Sequence, residues 1–299
     1  MSQMSQWSKY EFEEAFCPLC GPEAKQELRY NFDPFRVVAC RECSLIFLSP
    51  RFKEEDILQF YQGQDYYAPS HARQGYDDYL DLRAAWIKTF RRRLQVVKKY
   101  QPSGRILDIG CGPGFFLEAA REMGYDDLWG IDPSDYIVGV ARKNFGEKIL
   151  QGTLENDELK PASFDMLTAF DVFEHIYRPV EFLERAHQLL KPEGIFAFTT
   201  PNPESLLAKI FGKQWVSFKM PEHVFYWSPE TARKALEEKF EILEIRRAGQ
   251  YATASFLFRR LFQINTETSG ILQAIITFLK RINIYADNGS MTIIARRKS

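Results

Sequence analysis

The 299-residue sequence has no run of 18 apolar residues, so it offers no candidate for a membrane-spanning helix. Net charge is nearly absent. Thirty-nine Lys and Arg stand against 40 Asp and Glu, which removes the electrostatic footprint of bulk nucleic-acid binding but leaves room for a local basic patch. Histidine is scarce, at His71, His175, His187 and His223, so a histidine base has few candidates. The opening stretch, MSQMSQWSKYEFEEAF, is polar and acidic and lacks the basic and apolar regions of a secretory leader. The expected compartment is therefore cytoplasmic. No internal repeat or low-complexity tract occurs. The chain is 45% apolar, enough for an ordinary buried core in one large domain or two modest ones.

The chain is organised around Arg105 to Ala120, RILDIGCGPGFFLEAA. Ile106 to Ile109 is an apolar run of strand length. Gly110-Cys111-Gly112-Pro113-Gly114 is a glycine loop. Phe116, Leu117 and Ala120 then share one face of a helix. A strand, a glycine turn and a helix N-terminus form the cofactor platform of a doubly wound α/β sheet. Two details argue against a dinucleotide. The third glycine follows the second by two residues instead of three, and Asp108 precedes the loop, where a carboxylate suits an amino group better than pyrophosphate.

Four of the five cysteines form a second pattern, Cys17-Pro-Leu-Cys20 and Cys40-Arg-Glu-Cys43, spaced C-x2-C-x19-C-x2-C. Each pair can grip one side of a tetrahedral ion, and Gly21 permits the turn after the first. Two disulfides fit a cytoplasmic chain poorly. Four cysteine ligands leave no open position, so the expected ion is a structural Zn2+ that staples a small module. Short strands are expected at Gln26 to Phe32, Arg36 to Ala39 and Leu45 to Leu48. The zinc-ribbon module is placed at 1–50, a helical linker or lid at 51–100, and the main domain at 101–299, with a helical insertion at about 250–288.

In the linker, Lys53 to Tyr61 and Tyr76 to Tyr100 have helical patterns. The basic run Arg91-Arg92-Arg93 is expected on a solvated face, with phosphate binding as the alternative. Tyr66-Tyr67, in a loop with His71, suits either a lid or core packing. Beyond the glycine loop, Leu128 to Ile131 is a second strand ending at Asp132, placed to accept two hydrogen bonds from a ribose diol. Pro133 follows, and Ser134 can cap the next helix. Lys148 to Leu150 is a third strand, and Thr153 and Leu154 come just after it. Phe164 to Phe170 is a fourth strand whose exit carries Asp171, Glu174 and His175, facing the ligand crevice of such a sheet. Capping, base chemistry and metal binding by Asp171, Glu174 and His175 all remain open readings there. Ile195 to Thr200 is the fifth strand, Phe240 to Arg246 the sixth and Ser290 to Arg296 the last. His187, inside a helix, is expected to serve packing.

The loop with Asp108, Gly110, Gly112 and Gly114 resembles the first motif of the class I S-adenosylmethionine-dependent methyltransferases. The phrase LLKPEGIFAFTTPN is similar to the same group. The resemblance implies a Rossmann-like, seven-stranded doubly wound sheet, mostly parallel with one antiparallel strand. It implies S-adenosylmethionine as cofactor, bound by Asp108, Gly110, Cys111, Gly112, Gly114, Asp132, Pro133, Thr153, Leu154 and Asp171. Within the loop, Cys111 itself reads as a small buried residue, not a nucleophile. The stretch after the fourth strand resembles quinone-ring O-methyltransferases and sugar methyltransferases. Sugar C-methyltransferases with an N-terminal four-cysteine module use a Glu-His pair and a histidine after the fourth strand. Glu222-His223 and His175 match that pattern. A tyrosine of that group has no clear counterpart here, with Met220 nearby instead, and nothing matches its large C-terminal domain.

The expected catalytic residues are His223 and His175, with Glu222 or Glu174 to orient an imidazole. Histidine fits a base at neutral pH. The expected acceptor is a small molecule, a nucleotide sugar or surface-polysaccharide unit. The alternatives are a quinone or lipid-like phenol, RNA gripped by the ribbon, and a cofactor-binding scaffold without activity. No specific nucleic acid is expected as a partner. Segments Phe256 to Phe262 and Ile271 to Ile282 are apolar with basic punctuation. They suit a packed hairpin, a homodimer contact, a substrate cap, or a peripheral membrane contact through 255–285.

Overall fold

The computed structural model describes residues 7–62, 82–255, 270, 276–279 and 282–299. Tyr66, Tyr67, His71 and most of the two apolar segments lie outside the described residues. No helix among the described residues is long and apolar enough to cross a membrane.

The N-terminal part carries five short strands, β1 (Phe12–Glu13), β2 (Gln26–Phe32), β3 (Phe35–Cys40), β4 (Ile46–Leu48) and β5 (Arg51–Phe52), then helix α1 (Glu54–Gln62). Helix α2 (Arg83–Val97) leads into the main sheet. Its strands are β6 (Ile106–Ile109), β7 (Leu128–Asp132), β8 (Ile149–Gln151), β9 (Phe164–Phe170) and β10 (Leu190–Pro201). A two-residue strand, β11 (Phe225–Tyr226), precedes the last two, β12 (Phe240–Thr253) and β13 (Asn283–Arg297). The seven-stranded sheet runs β12-β13-β10-β9-β6-β7-β8. β13 is antiparallel to both neighbours, and the β10, β9, β6, β7 and β8 pairings are parallel. This is the Rossmann-like doubly wound arrangement expected from the sequence.

Strand side chains alternate between faces, so each strand feeds two cores. Ile106, Met166, Ala197 and Ile294 join one apolar cluster with α2, α3 (Phe115–Glu122) and α4 (Asp135–Phe145). Leu107, Leu167, Phe196, Phe198, Ile293 and Ala295 join the other, with α5 (Pro179–Leu189) and, beyond the short helix α6 (Leu206–Phe211), α7 (Pro229–Leu236). The second cluster also contains Cys17, Phe35, Val37, Leu45, Phe47 and Phe52. The core therefore does not divide at residue 50. The ribbon packs directly on one face of the main domain, and β11 completes its sheet in the order β11-β4-β3-β2.

Three sequence expectations need correction. The last two strands run further than predicted, pairing from Gly249↔Asp287 to Thr253↔Asn283. The cross-strand rings of Tyr251 and Tyr285, 5.1 Å apart, support that extension, so the segment between the strands narrows from 250–288 to 254–282. Lys191-Pro-Glu-Gly194, whose residues predict a turn, lies instead within β10 at an irregularity between Leu190 and Ile195. Of the basic run, Arg93 is buried instead of solvated, while Arg91 pairs with Glu122 and Arg92 lies over the Tyr285 ring.

Candidate active site

The glycine loop begins where β6 ends. Gly110, Gly112 and Gly114 all have positive φ, at 65°, 52° and 86°. At Gly110 a Cβ would stand 2.6 Å from the Val172 side chain, so only glycine lets this loop pack against the exit of β9. The Gly110 and Cys111 amides donate to the Ile131 carbonyl at 2.8 and 3.1 Å, tying the loop to β7. Cys111 is buried, its sulfur lies where a side chain on Gly130 would collide, and burial pushes its thiol well up. It is an inert neutral group beneath the loop.

Asp132 closes β7. One oxygen accepts the Gly112 amide and the other the Ser134 amide, each at 3.0 Å. A carboxylate offers about four acceptor sites, so roughly two remain for the hydroxyls of a ribose. Burial raises this carboxyl to about 6, against the pull of those two amides. Ser134 sits at the N-cap of α4 but makes no side-chain cap bond, contrary to expectation. Its amide is turned to Asp132 instead. Pro133 is half-buried at the bend between them. Asp108 is buried at the end of β6 and accepts the Thr168 hydroxyl at 2.7 Å. Burial drives its carboxyl up to about 8, and the nearby Asp132 charge adds to this. A cationic amino group is the natural partner to draw out its proton. These two carboxylate acceptors suit the amino-acid and ribose ends of S-adenosylmethionine.

After β8, the Gly152 amide bonds the Asp132 carbonyl at 3.0 Å, which sets the Thr153–Leu154 loop beside Asp132. Thr153 is exposed. Leu154 is buried in the core, and Arg185 bonds its carbonyl at 3.0 Å. Any contact from Leu154 to a ligand must therefore come from its backbone. Asp171 has φ 60° and donates its amide to the Thr199 carbonyl. Its carboxylate is gripped by Arg93 through two nitrogens at 2.7 and 3.4 Å. Sequence reasoning missed Arg93 and Thr168. Neither has a local signature, because each is defined by a partner 60 or more residues away.

The chain leaves β9 through a single helical turn, Phe173–His175. Here His175 meets His223, with ring centroids 4.8 Å apart and planes at 84°. The Tyr61 hydroxyl of α1 lies 3.0 Å from His175 Nδ1, another contact with no local sequence signal. Glu174 is 1% exposed and Glu222 4% exposed, so both carboxyls are inside the protein. Ligand atoms of Glu174, His175 and His223 lie within 4.8 Å of one another. Among the described residues, Glu174 Oε2, His223 Nδ1 and the Tyr226 hydroxyl are buried with no hydrogen-bond partner. Leaving such atoms bare costs about 1–3 kcal/mol each, and polar atoms of this kind are what a ligand-receiving pocket presents.

Electrostatics keep Glu174, His175 and His223 uncharged near neutral pH. Burial, helped by the Asp171 charge, raises Glu174 to about 8. Burial lowers His175 to about 3, with the Lys219 cation acting in the same sense. Burial, His175 and Lys219 together push His223 well below its usual range. Both imidazoles are free bases at neutral pH. His187 takes no part, lying against Phe240 with Nε2 3.0 Å from the Lys298 carbonyl.

The four cysteines also converge. Their sulfurs lie within 4.8 Å of one another, with Cys17 and Cys43 3.4 Å apart. Zinc–sulfur bonds near 2.3 Å imply sulfur separations of about 3.8 Å, so the donor set fits a tetrahedral Zn2+. The two knuckles match: Gly21 bonds back to Cys17 and Ser44 to Cys40, each at 2.9 Å, and both have positive φ.

Comparison with known proteins agrees with this geometry. A family model described as Methyltransferase domain matches residues 76–242. The ubiquinone biosynthesis O-methyltransferase of Paraburkholderia phymatum is 36% identical over 129 residues, covering 40% of this chain and 54% of that one. The human mitochondrial protein of the same name is 30% identical over 207 residues, covering 60% and 52%. The chain thus spans about half the length of the curated relatives it matches. A solved S-adenosylmethionine-dependent methyltransferase of Archaeoglobus fulgidus superposes with TM-score 0.50 at 21% identity, over 73% of this chain and 98% of that one. Phosphoethanolamine N-methyltransferase 2 of Haemonchus contortus gives 0.51 at 18%, over 85% and 63%. At such identities these two structures show a shared fold.

Proposed function

The chain belongs to the methyltransferase family whose domain model it matches, and from that premise we propose that it methylates a small-molecule acceptor at the His175–His223 pocket. The observation that carries this reading is the clustering of Glu174, His223 and Tyr226, each with a buried polar atom that has no hydrogen-bond partner. S-adenosylmethionine supplies an activated methyl group on a sulfonium, with a neutral thioether as leaving group. Asp132 would hold its ribose and Asp108 its amino group. The remaining work of the protein is to orient the acceptor and take its proton. His223, neutral and with Nδ1 open, is the proposed base, and Tyr61 holds the neighbouring His175. On transfer the methyl group would leave the thioether sulfur for an acceptor oxygen or carbon, and the acceptor proton would pass to His223. The four cysteines would hold a structural Zn2+.

A polar, histidine-lined pocket favours a nucleotide sugar or polysaccharide unit as acceptor. A quinone-type phenol is the second reading. The curated relatives carry that activity in their names, and Leu206, Ile210 and Phe211 form an exposed apolar face on α6. Transfer of labelled methyl to nucleotide sugars and to polyprenylated phenols, run side by side, separates the two. His223→Ala is expected to bind S-adenosylhomocysteine normally and to lose turnover about 100-fold or more. Unchanged turnover would remove His223 as the base.

A further inference from the structure

The catalytic segment has few backbone anchors, and the ribbon supplies one of them. Strand β11 is separated from His223 by one residue and, among the described residues, is an edge strand paired with β4 of the ribbon. The register sets Phe225 opposite Phe47 and Tyr226 opposite Ile46. Val224, between His223 and β11, is held from both sides. Its carbonyl accepts the Leu48 amide and its own amide donates to the Glu174 carbonyl, both at 2.9 Å. The ribbon is thus joined through a single residue to both halves of the candidate pocket, Glu174-His175 on one side and Glu222-His223 on the other.

β4 in turn starts at the second cysteine knuckle. The Cys40 amide bonds the Leu45 carbonyl at 2.9 Å, one residue before the strand. A third link runs the other way. Lys234 of α7, the helix that follows β11, lies with Nζ 3.5 Å from Cys20 Sγ. A lysine donating to a zinc-bound thiolate is a contact that steadies both the ion's charge and the helix.

We infer that the four-cysteine zinc site is a positioning element of the pocket: metal in the knuckles holds β4, and β4 holds the Val224–Tyr226 strand that sets His223 against His175. The pocket's catalytic meaning rests on the function proposed above, but the mechanical coupling does not. Metal binding supplies folding energy to a ribbon too small to hold its own shape. A two-residue edge strand has little stability apart from its neighbour. Asp108, Asp132 and the glycine loop are tied by hydrogen bonds to β6, β7 and β9, so cofactor binding should outlast loss of the metal.

The test is hydrogen exchange on the whole protein before and after zinc is stripped with a chelator, with S-adenosylhomocysteine binding measured on both samples. Stripping is expected to raise exchange at Val224–Tyr226 and Ile46–Leu48 about tenfold or more. The affinity for S-adenosylhomocysteine should hold within about threefold. Zinc-loaded Phe47→Ala should raise exchange at Val224–Tyr226 while retaining its metal, because it loosens β4 against Phe225 without touching a cysteine. Protection at Val224–Tyr226 that survives metal removal would overturn the inference, as would cofactor affinity lost in parallel, which signals general unfolding. Raised exchange with cofactor affinity retained would uphold the coupling whatever the outcome of His223→Ala, so the two ideas fail separately.

Discussion

The imidazole of His175 stands edge-on to that of His223 at 4.8 Å, and the two come from segments 48 residues apart. One leaves the fourth parallel strand; the other precedes a strand that pairs with the ribbon. Tyr61 completes the arrangement through His175 Nδ1. Tyr61→Phe removes that hydrogen bond and keeps the ring. A neutral hydrogen bond contributes about 0.5–1.5 kcal/mol, so kcat should fall up to about tenfold with KM little changed. A shifted pH–rate profile would mark Tyr61 as a positioning residue; unchanged kcat and pH profile would make the contact incidental.

Asp132 is held by two backbone amides and has lone pairs to spare. Asp132→Ala should keep the fold and weaken S-adenosylhomocysteine. Two hydrogen bonds to a charged acceptor at about 1.5–3 kcal/mol each predict a loss of at least 100-fold in affinity, readable by calorimetry. Equal binding by the variant would remove Asp132 from the cofactor site.

Stability should depend on pH in a defined direction. Asp108 and Glu174, raised by burial to about 8, stay protonated in the folded protein where unfolded carboxyls, near 4, have ionised. The folded state then binds more protons, so stability falls as pH rises toward 8. His175 and His223, lowered by burial, work in the opposite sense only below about pH 6.5, where unfolded imidazoles take up protons. From pH 6.5 to 8 the carboxyls act alone. Urea denaturation of the cofactor-free protein should show declining stability over that window, and Asp108→Asn should flatten part of it. A level profile would mean that these carboxyls ionise freely.

Arg93 and Asp171 make the ion pair between α2 and the exit of β9, with side chains 4% and 22% exposed. Arg93→Met leaves Asp171 half-buried without its cation. Fully buried pairs cost about 3–5 kcal/mol when broken this way, and the exposure of Asp171 brings the expected loss to the lower end. The double variant Arg93→Met with Asp171→Asn should recover part of the loss. Failure to recover would point to packing against Phe90 and Phe170 as the main role of Arg93.

Much of this architecture was legible because it is local. The apolar character and length of Ile106–Ile109, Leu128–Asp132 and Phe164–Phe170, and the glycines with left-handed backbone after β6, each follow from a few adjacent residues. The four cysteines were legible for the same reason, since a knuckle is a five-residue turn. The strand ends at Thr253 and Asn283 were not. Their extension depends on the Tyr251–Tyr285 pairing, which no single segment encodes.

Short-range sequence was enough for the central strands, the family, the glycine loop and the metal-ligand spacing, because each depends on residues near one another in the chain. Folding is what gives the ribbon and main domain one core, makes Arg93 a buried partner of Asp171, and gathers Tyr61, Glu174, His175 and His223 into one cluster. Those facts depend on burial and on pairs separated by tens of residues. Desolvation of a carboxyl or an imidazole is set by everything packed around it, and no stretch of sequence carries that information alone.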